Sequence, residues 1–274
     1  MRISYFNIAD FYCDGGATFG VVPKKVWSKR YPVDEDNFCR MAMRCVLIKT
    51  NDRLMLIDTG VGTKQLQYLK YYKITEIADF HQELAKFGYT CDQVTDVILT
   101  HLHFDHCGGC TFIDVDGVCK PQFPNASYWV SELQWQNFLH PNVREGNSYF
   151  LENMMPVHDA GLLRLIKEDT WIHSEVQLRI YSGHTDGIVM PFLPNYDGGT
   201  FFINDIIPLA ASLPLAWVSA TDTQPLLSMK AKESILAEAA QNGFSLFFGH
   251  DAYIVKGRVQ SVNGHYKLTD CVKA

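Results

Sequence analysis

The feature that most constrains this 274-residue chain is the loop Thr100-His101-Leu102-His103-Phe104-Asp105-His106, which directly follows the apolar run Val94–Thr100. Three imidazoles and a carboxylate fall within six residues. Neutral imidazole and carboxylate are the ligands taken by zinc and other first-row divalent cations. In an extended stretch, residues two apart point to the same side, so His101 and His103 can share one cation. The turn that follows carries Asp105 and His106 elsewhere, so one short loop can serve two adjacent cations. Gly108-Gly109 come next and permit a tight turn and close backbone approach behind the loop. A polar surface loop is the other reading; so dense a set of ligands after a buried strand argues against it.

The same placement recurs along the chain. Met43–Thr50 and Arg53–Asp58, separated by Asn51-Asp52, predict a β-hairpin. Lys64–Phe87 has helical spacing and ends at Gly88, a C-cap. Ser131–Leu139 predicts a helix with Ser131 as N-cap. Val176–Tyr181, Ile188–Leu193, Thr200–Asn204 and Phe244–Phe248 are strand-like, and Lys230–Gln241 is the clearest helix, with Gly243 past its end. Strands alternating with helices imply an α/β fold of sheet layers covered by helices. Asp58, His101, His184, Asp205 and His250 each sit just after a strand, where loops are shaped over a rigid scaffold. His184 lies in Ser182-Gly183-His184-Thr185-Asp186-Gly187 and His250 in Phe248-Gly249-His250-Asp251. The histidines at 81, 140, 158, 173 and 265 have no such setting and read as structural or solvated.

Composition narrows the class. Hydrophobic residues are 47% and charged residues 20%, enough apolar surface for a packed core and too much for a disordered chain. The net charge of −6 argues against a nucleic-acid partner. No run of about 18 apolar residues occurs, so no membrane span is expected. Nor does the N-terminus read as a secretory signal, which implies a cytoplasmic protein with its eight cysteines reduced. No repeat or linker divides the chain, so one domain over residues 1–274 is expected.

The order His-x-His-x-Asp-His, Gly-His, strand-terminal Asp, Gly-His resembles the metallo-β-lactamase superfamily, as does Leu54-Met55-Leu56-Ile57-Asp58-Thr59-Gly60. That resemblance implies a four-layer αβ/βα sandwich with the site at one edge of its sheets. It implies that His101, His103 and His184 hold one metal, that Asp105, His106 and His250 hold a second, and that Asp205 bridges them. Asp58 would stand behind the ligands and orient them. Zinc is the first expectation for both metals, with manganese, iron or cobalt open. Two such cations sharing a water lower its pKa toward neutrality, giving a bridging hydroxide as nucleophile, and Asp105 could pass a proton to the leaving group. The implied activity is hydrolysis of an ester-like bond in a small molecule: a lactone, carboxylic ester or phosphoester. A homodimer stays open as the assembly.

Within the superfamily the chain resembles the subgroup of acyl-homoserine lactonases and related organophosphate hydrolases. No cysteine ligand of the zinc β-lactamase kind is present. The segment from Gly15 to Trp27 resembles that subgroup's N-terminal loop, so Phe19, Val22 and Trp27 are expected either at the substrate or in the core. Those lactonases carry a tyrosine three residues after the bridging aspartate; here the position is Pro208. Three rivals stand beside this reading. Cys107-Gly108-Gly109-Cys110 has the spacing of a redox dithiol. A di-iron oxidoreductase of the same fold usually has an acidic residue at the His103 position and a flavin partner domain. A phosphodiesterase or nuclease usually adds a basic clamping insertion.

Overall fold

The hairpin forms at Asn51-Asp52. β2 (Phe38–Lys49) returns as β3 (Leu54–Ile57), antiparallel from Lys49↔Leu54 to Val46↔Ile57. The computed structural model describes residues 1–274. Two compact units result: Met1–Asp10 with Met43–Glu168, and Phe11–Ala42 with Asp169–Ala274.

In the first, β3 continues into parallel neighbours β4 (Asp96–Ile98), β7 (Ser127–Ser131) and β8 (Leu163–Ile166), giving a six-stranded sheet in the order β1-β2-β3-β4-β7-β8, with β1 at Arg2–Asp14. All four residues of β3 are buried, which is why it reads as an unbroken apolar run; all three of β4 are buried too, with Asp96 paired to Arg53 at 2.9 Å. A small separate hairpin pairs β5 (Thr111–Ile113) with β6 (Cys119–Pro121). Ser131 caps the helix Glu132–Leu139 by accepting from Gln134 N, as its position predicts.

The second unit has a seven-stranded sheet in the order β15-β14-β13-β12-β11-β10-β9. Its strands are β9 (Thr170–His173), β10 (Val176–Tyr181), β11 (Ile188–Leu193), β12 (Thr200–Phe202), β13 (Ser245–Phe247), β14 (Ile254–Val262) and β15 (His265–Lys273). Only β12 and β13 are parallel, and the 18-residue helix Pro225–Asn242 lies between them in the chain. Its face Ala231, Ile235, Leu236 and Ala239 packs on Ile188, Met190, Phe201 and Leu246 of the sheet, and Gly243 ends it at φ 69°. This is the two-sheet mixed α/β architecture of the metallo-β-lactamase fold.

The expectation of a helix over Lys64–Phe87 holds only at its C-terminal end. The structure has a 3-10 turn at Lys70–Tyr72 and a helix at Phe80–Lys86, capped by Asp79. Lys73 and Glu76 take positive φ, Thr75 pairs as an isolated bridge with Asp10, and Ala78 N donates to Ile8 O, so the chain leaves the helix to pair with β1. Periodicity missed that competition, and it missed the long N-terminal strand and the C-terminal hairpin β14–β15. No helix is long and apolar enough to cross a membrane.

Candidate metal centre

Parallel pairing sets the first group of donors. Because Ile57 and Ile98 are partners on β3 and β4, Asp58 and Thr100-His101 leave the sheet side by side. Asp58 takes a φ of 53°, its N–H donates to Ile98 O at 2.9 Å, and its carboxylate accepts from Thr100 N at 2.8 Å. The other carboxylate oxygen lies 2.8 Å from His106 Nδ1. The loop that follows is not wholly extended: His103 stands at the N-terminus of a one-turn helix, Phe104–Cys107, which swings Asp105 and His106 round. Gly108 and Gly109 let this turn press on Thr59–Val61; a Cβ at Gly108 would lie 2.0 Å from Val61 O, and one at Gly109 2.2 Å from Thr59 O.

The donor atoms converge. His101 Nε2 is 3.0 Å from His103 Nδ1, and His106 Nε2 is 3.6 Å from an Asp105 oxygen. Ligand atoms of His101 with His103, of His101 with His106, and of Asp105 with His106 fall within 4.8 Å of one another. All three rings are buried, and Asp105 is partly open to solvent.

In the second unit the register does the same work. Phe202 pairs with Phe247, so Asp205 and His250 follow adjacent parallel strands. His184 sits in the turn joining β10 to β11, where antiparallel β11 begins beside the end of β12. His184 Nε2 is 3.1 Å from one Asp205 oxygen and His250 Nε2 is 2.8 Å from the other. Each outer ring nitrogen has an acceptor: Asp222 Oδ1 at 3.0 Å for His184 and Ala42 O at 2.8 Å for His250. Gly183 has no room for a side chain, since a Cβ would meet Ser228 Cα at 2.6 Å.

These contacts test whether a metal fits. A carbonyl or carboxylate only accepts, so Nδ1 of His250 and of His184 must donate. In the neutral rings each Nε2 is then a lone pair aimed at a carboxylate oxygen of Asp205. Two acceptors at 2.8 Å repel unless a positive charge joins them. The alternative, a second proton on each ring, puts two buried imidazolium ions on the single Asp205 carboxylate, with Asp222 beside only one of them. A bound cation satisfies lone pairs and carboxylate together. The same holds for His106, whose Nδ1 faces Asp58 and whose Nε2 faces Asp105. The donor set is therefore suited to divalent metal.

The other sequence candidates are placed as follows. Phe19 and Trp27 stack with centroids 4.7 Å apart, each 1% exposed, so both rings are spent on packing. Val22 is half-buried. Pro208 is half-buried too. None of the histidines at 81, 140, 158, 173 and 265 enters a metal-binding group, and His158 stacks on Trp135. The redox-dithiol reading is corrected. Cys107 and Cys110 are fully buried, and burial pushes both thiols up, Cys110 to about 12. Cys107 Sγ donates to Leu102 O, while Cys110 Sγ lies against Thr59 Oγ1. A reactive dithiol needs an accessible thiolate, and neither is one. Asp222 escaped sequence reading: nothing about a lone aspartate 38 residues beyond His184 marks it as that ring's acceptor.

A family model of the metallo-beta-lactamase superfamily matches residues 44–114. An N-acyl homoserine lactonase of Bacillus thuringiensis is 23% identical over 218 residues, covering 76% of this chain and 80% of that protein. Among solved structures, a probable metal-dependent hydrolase from Staphylococcus aureus superposes with a TM-score of 0.89 at 28% identity, covering 99% of this chain and 98% of the other. AidC, a dizinc quorum-quenching lactonase, superposes with a TM-score of 0.78 at 19% identity, covering 97% and 93%.

Proposed function

We propose that this chain, a member of the metallo-β-lactamase superfamily, is a metal-dependent hydrolase whose two donor sets hold a pair of divalent cations and act on an ester-like bond. The observation that carries the reading is the Asp205 carboxylate, faced on each oxygen by an imidazole lone pair. In the arrangement that the family resemblance implies, His101, His103 and His184 would hold one cation, Asp105, His106 and His250 the other, with Asp205 shared between them. When bound, such a pair supplies Lewis acidity and a water acidic enough to attack near neutral pH.

The chain's own groups do the rest. Asp58, Asp222 and the Ala42 carbonyl fix the tautomers of His106, His184 and His250, so that each ring presents a lone pair without reorganising. Asp105, the carboxylate among the first unit's donors that solvent reaches, would carry a proton to the leaving oxygen. Resemblance to an N-acyl homoserine lactonase at 23% identity supports a lactone as the substrate class, and the same metal chemistry extends to carboxylic esters and phosphoesters.

The test is metal-reconstituted protein assayed on lactones, aryl esters, phosphotriesters and phosphodiesters, with metal content measured alongside. Turnover of at least one class at two equivalents of metal is expected. Asp205→Ala should lose stoichiometry and turnover together, and full activity in a metal-free variant overturns the reading.

A further inference from the structure

On the far side of His103 the first unit buries a carboxylate that the chemistry above leaves unused. Glu145 follows the helix Glu132–Leu139 and is 3% exposed. Its Oε2 accepts from Asn137 Nδ2 at 2.5 Å and Asn142 Nδ2 at 3.0 Å. Its Oε1 makes no hydrogen bond and lies 3.9 Å from His103 Nε2. Tyr149 closes the same patch: its ring centroid is 5.1 Å from that of His103, and its hydroxyl is 3.0 Å from Asn137 Nδ2. Gln134 Oε1 ties the patch to the metal loop by accepting from Leu102 N at 3.0 Å.

Burying a carboxylate is costly unless its oxygens find donors. Two amides serve one oxygen of Glu145, and the other faces an imidazole. His103 turns Nδ1 toward His101, so Nε2 is the nitrogen that must carry the proton when Nδ1 binds metal. We propose that Glu145 is the positioning residue of His103: it accepts the Nε2 proton and so selects the tautomer whose Nδ1 lone pair faces the metal. The inference rests on His103 being a metal ligand. Closing the gap from 3.9 Å to hydrogen-bond range takes roughly 1 Å of ring or carboxylate movement. The negative charge behind the ring also makes Nδ1 a stronger donor.

The chemistry makes Glu145→Gln a sharp probe. Both asparagine amides donate to one side, which holds the glutamine carbonyl there and leaves its NH2 facing His103 Nε2. A donor in that place favours the tautomer with the proton on Nδ1, the one that cannot bind. Glu145→Asp keeps the acceptor but removes a methylene, so it disturbs packing more. Zinc affinity is measured by competition with a chromophoric chelator, and the cobalt-substituted proteins are compared by visible absorption. Wild type should take up two equivalents. Glu145→Gln should bind its weaker equivalent about 10–100-fold less tightly, with shifted cobalt bands, and Glu145→Asp should lose less. Wild-type protein that takes up no metal overturns the metal-centre reading itself. Two equivalents in wild type with unchanged affinity and bands in Glu145→Gln overturns the role of Glu145 alone. So does a larger loss in Glu145→Asp than in Glu145→Gln, since that order marks packing. If Glu145→Gln does not fold, histidine-selective nitrogen NMR of the zinc-loaded wild type carries the test: a His103 proton held on Nε2 in a hydrogen bond supports the role, and an Nε2 proton exchanging freely with solvent overturns it.

Discussion

Asp222 shows what a single side chain can set at this centre. It accepts from His184 Nδ1 at 3.0 Å and is itself buried. Removing it by Asp222→Ala frees the ring to take either tautomer, and metal affinity should fall about 10–100-fold while the fold survives. Titration against a chelator reads the affinity, and circular dichroism reads the fold. The contrast between Asp222 and His184 also marks how far residues can be read from the chain alone. A histidine between a glycine and a turn, just after an apolar run, announces itself by local pattern. The acceptor behind it comes from a loop 38 residues on, and that of His250 is a backbone carbonyl 208 residues earlier. Neither leaves a local trace, because any residue supplies a carbonyl and a lone aspartate resembles every surface aspartate.

At the scale of elements, the stretch after Asp205 is held from one side by the helix Pro225–Asn242. Lys232, 1% exposed on that helix, donates to Ser212 O at 2.7 Å, Pro214 O at 3.0 Å and Trp217 O at 2.7 Å. Burial pulls its ammonium down to about 7, and Asp222 acts in the opposite direction. Lys232→Met leaves three carbonyls without that donor, and should destabilise the protein by about 3 kcal/mol, measured by urea unfolding. In sequence this lysine looked like one more good former in a helix. Elements with strong local signals, the Asn51-Asp52 hairpin and the Ser131-capped helix, were readable. The region 64–79 was not: residues 65–73 close short local turns, and Thr75 and Ala78 pair with Asp10 and Ile8 of β1, at the other end of a long separation.

For the molecule as a whole, buried thiols and tyrosines set the alkaline limit, those of the first unit among them. Burial raises Cys45 and Cys107 well above their ordinary value of 9.0, Cys110 to about 12, and Tyr128 well above 10.0. Between about pH 9 and 12 the unfolded chain gives up protons that the folded chain keeps, so stability should be intact below 9 and fall as pH rises through that window. Thermal unfolding at stepped pH measures it, and a flat profile would contradict the assignment. One feature of the second sheet bears on how the protein comes together. Asp205 meets His250 only through the parallel register of β12 with β13, and parallel pairing across an intervening helix is a slow, non-local event. On dilution from denaturant, helical signal therefore returns first, and the capacity to take up a cation arrives with the last kinetic phase.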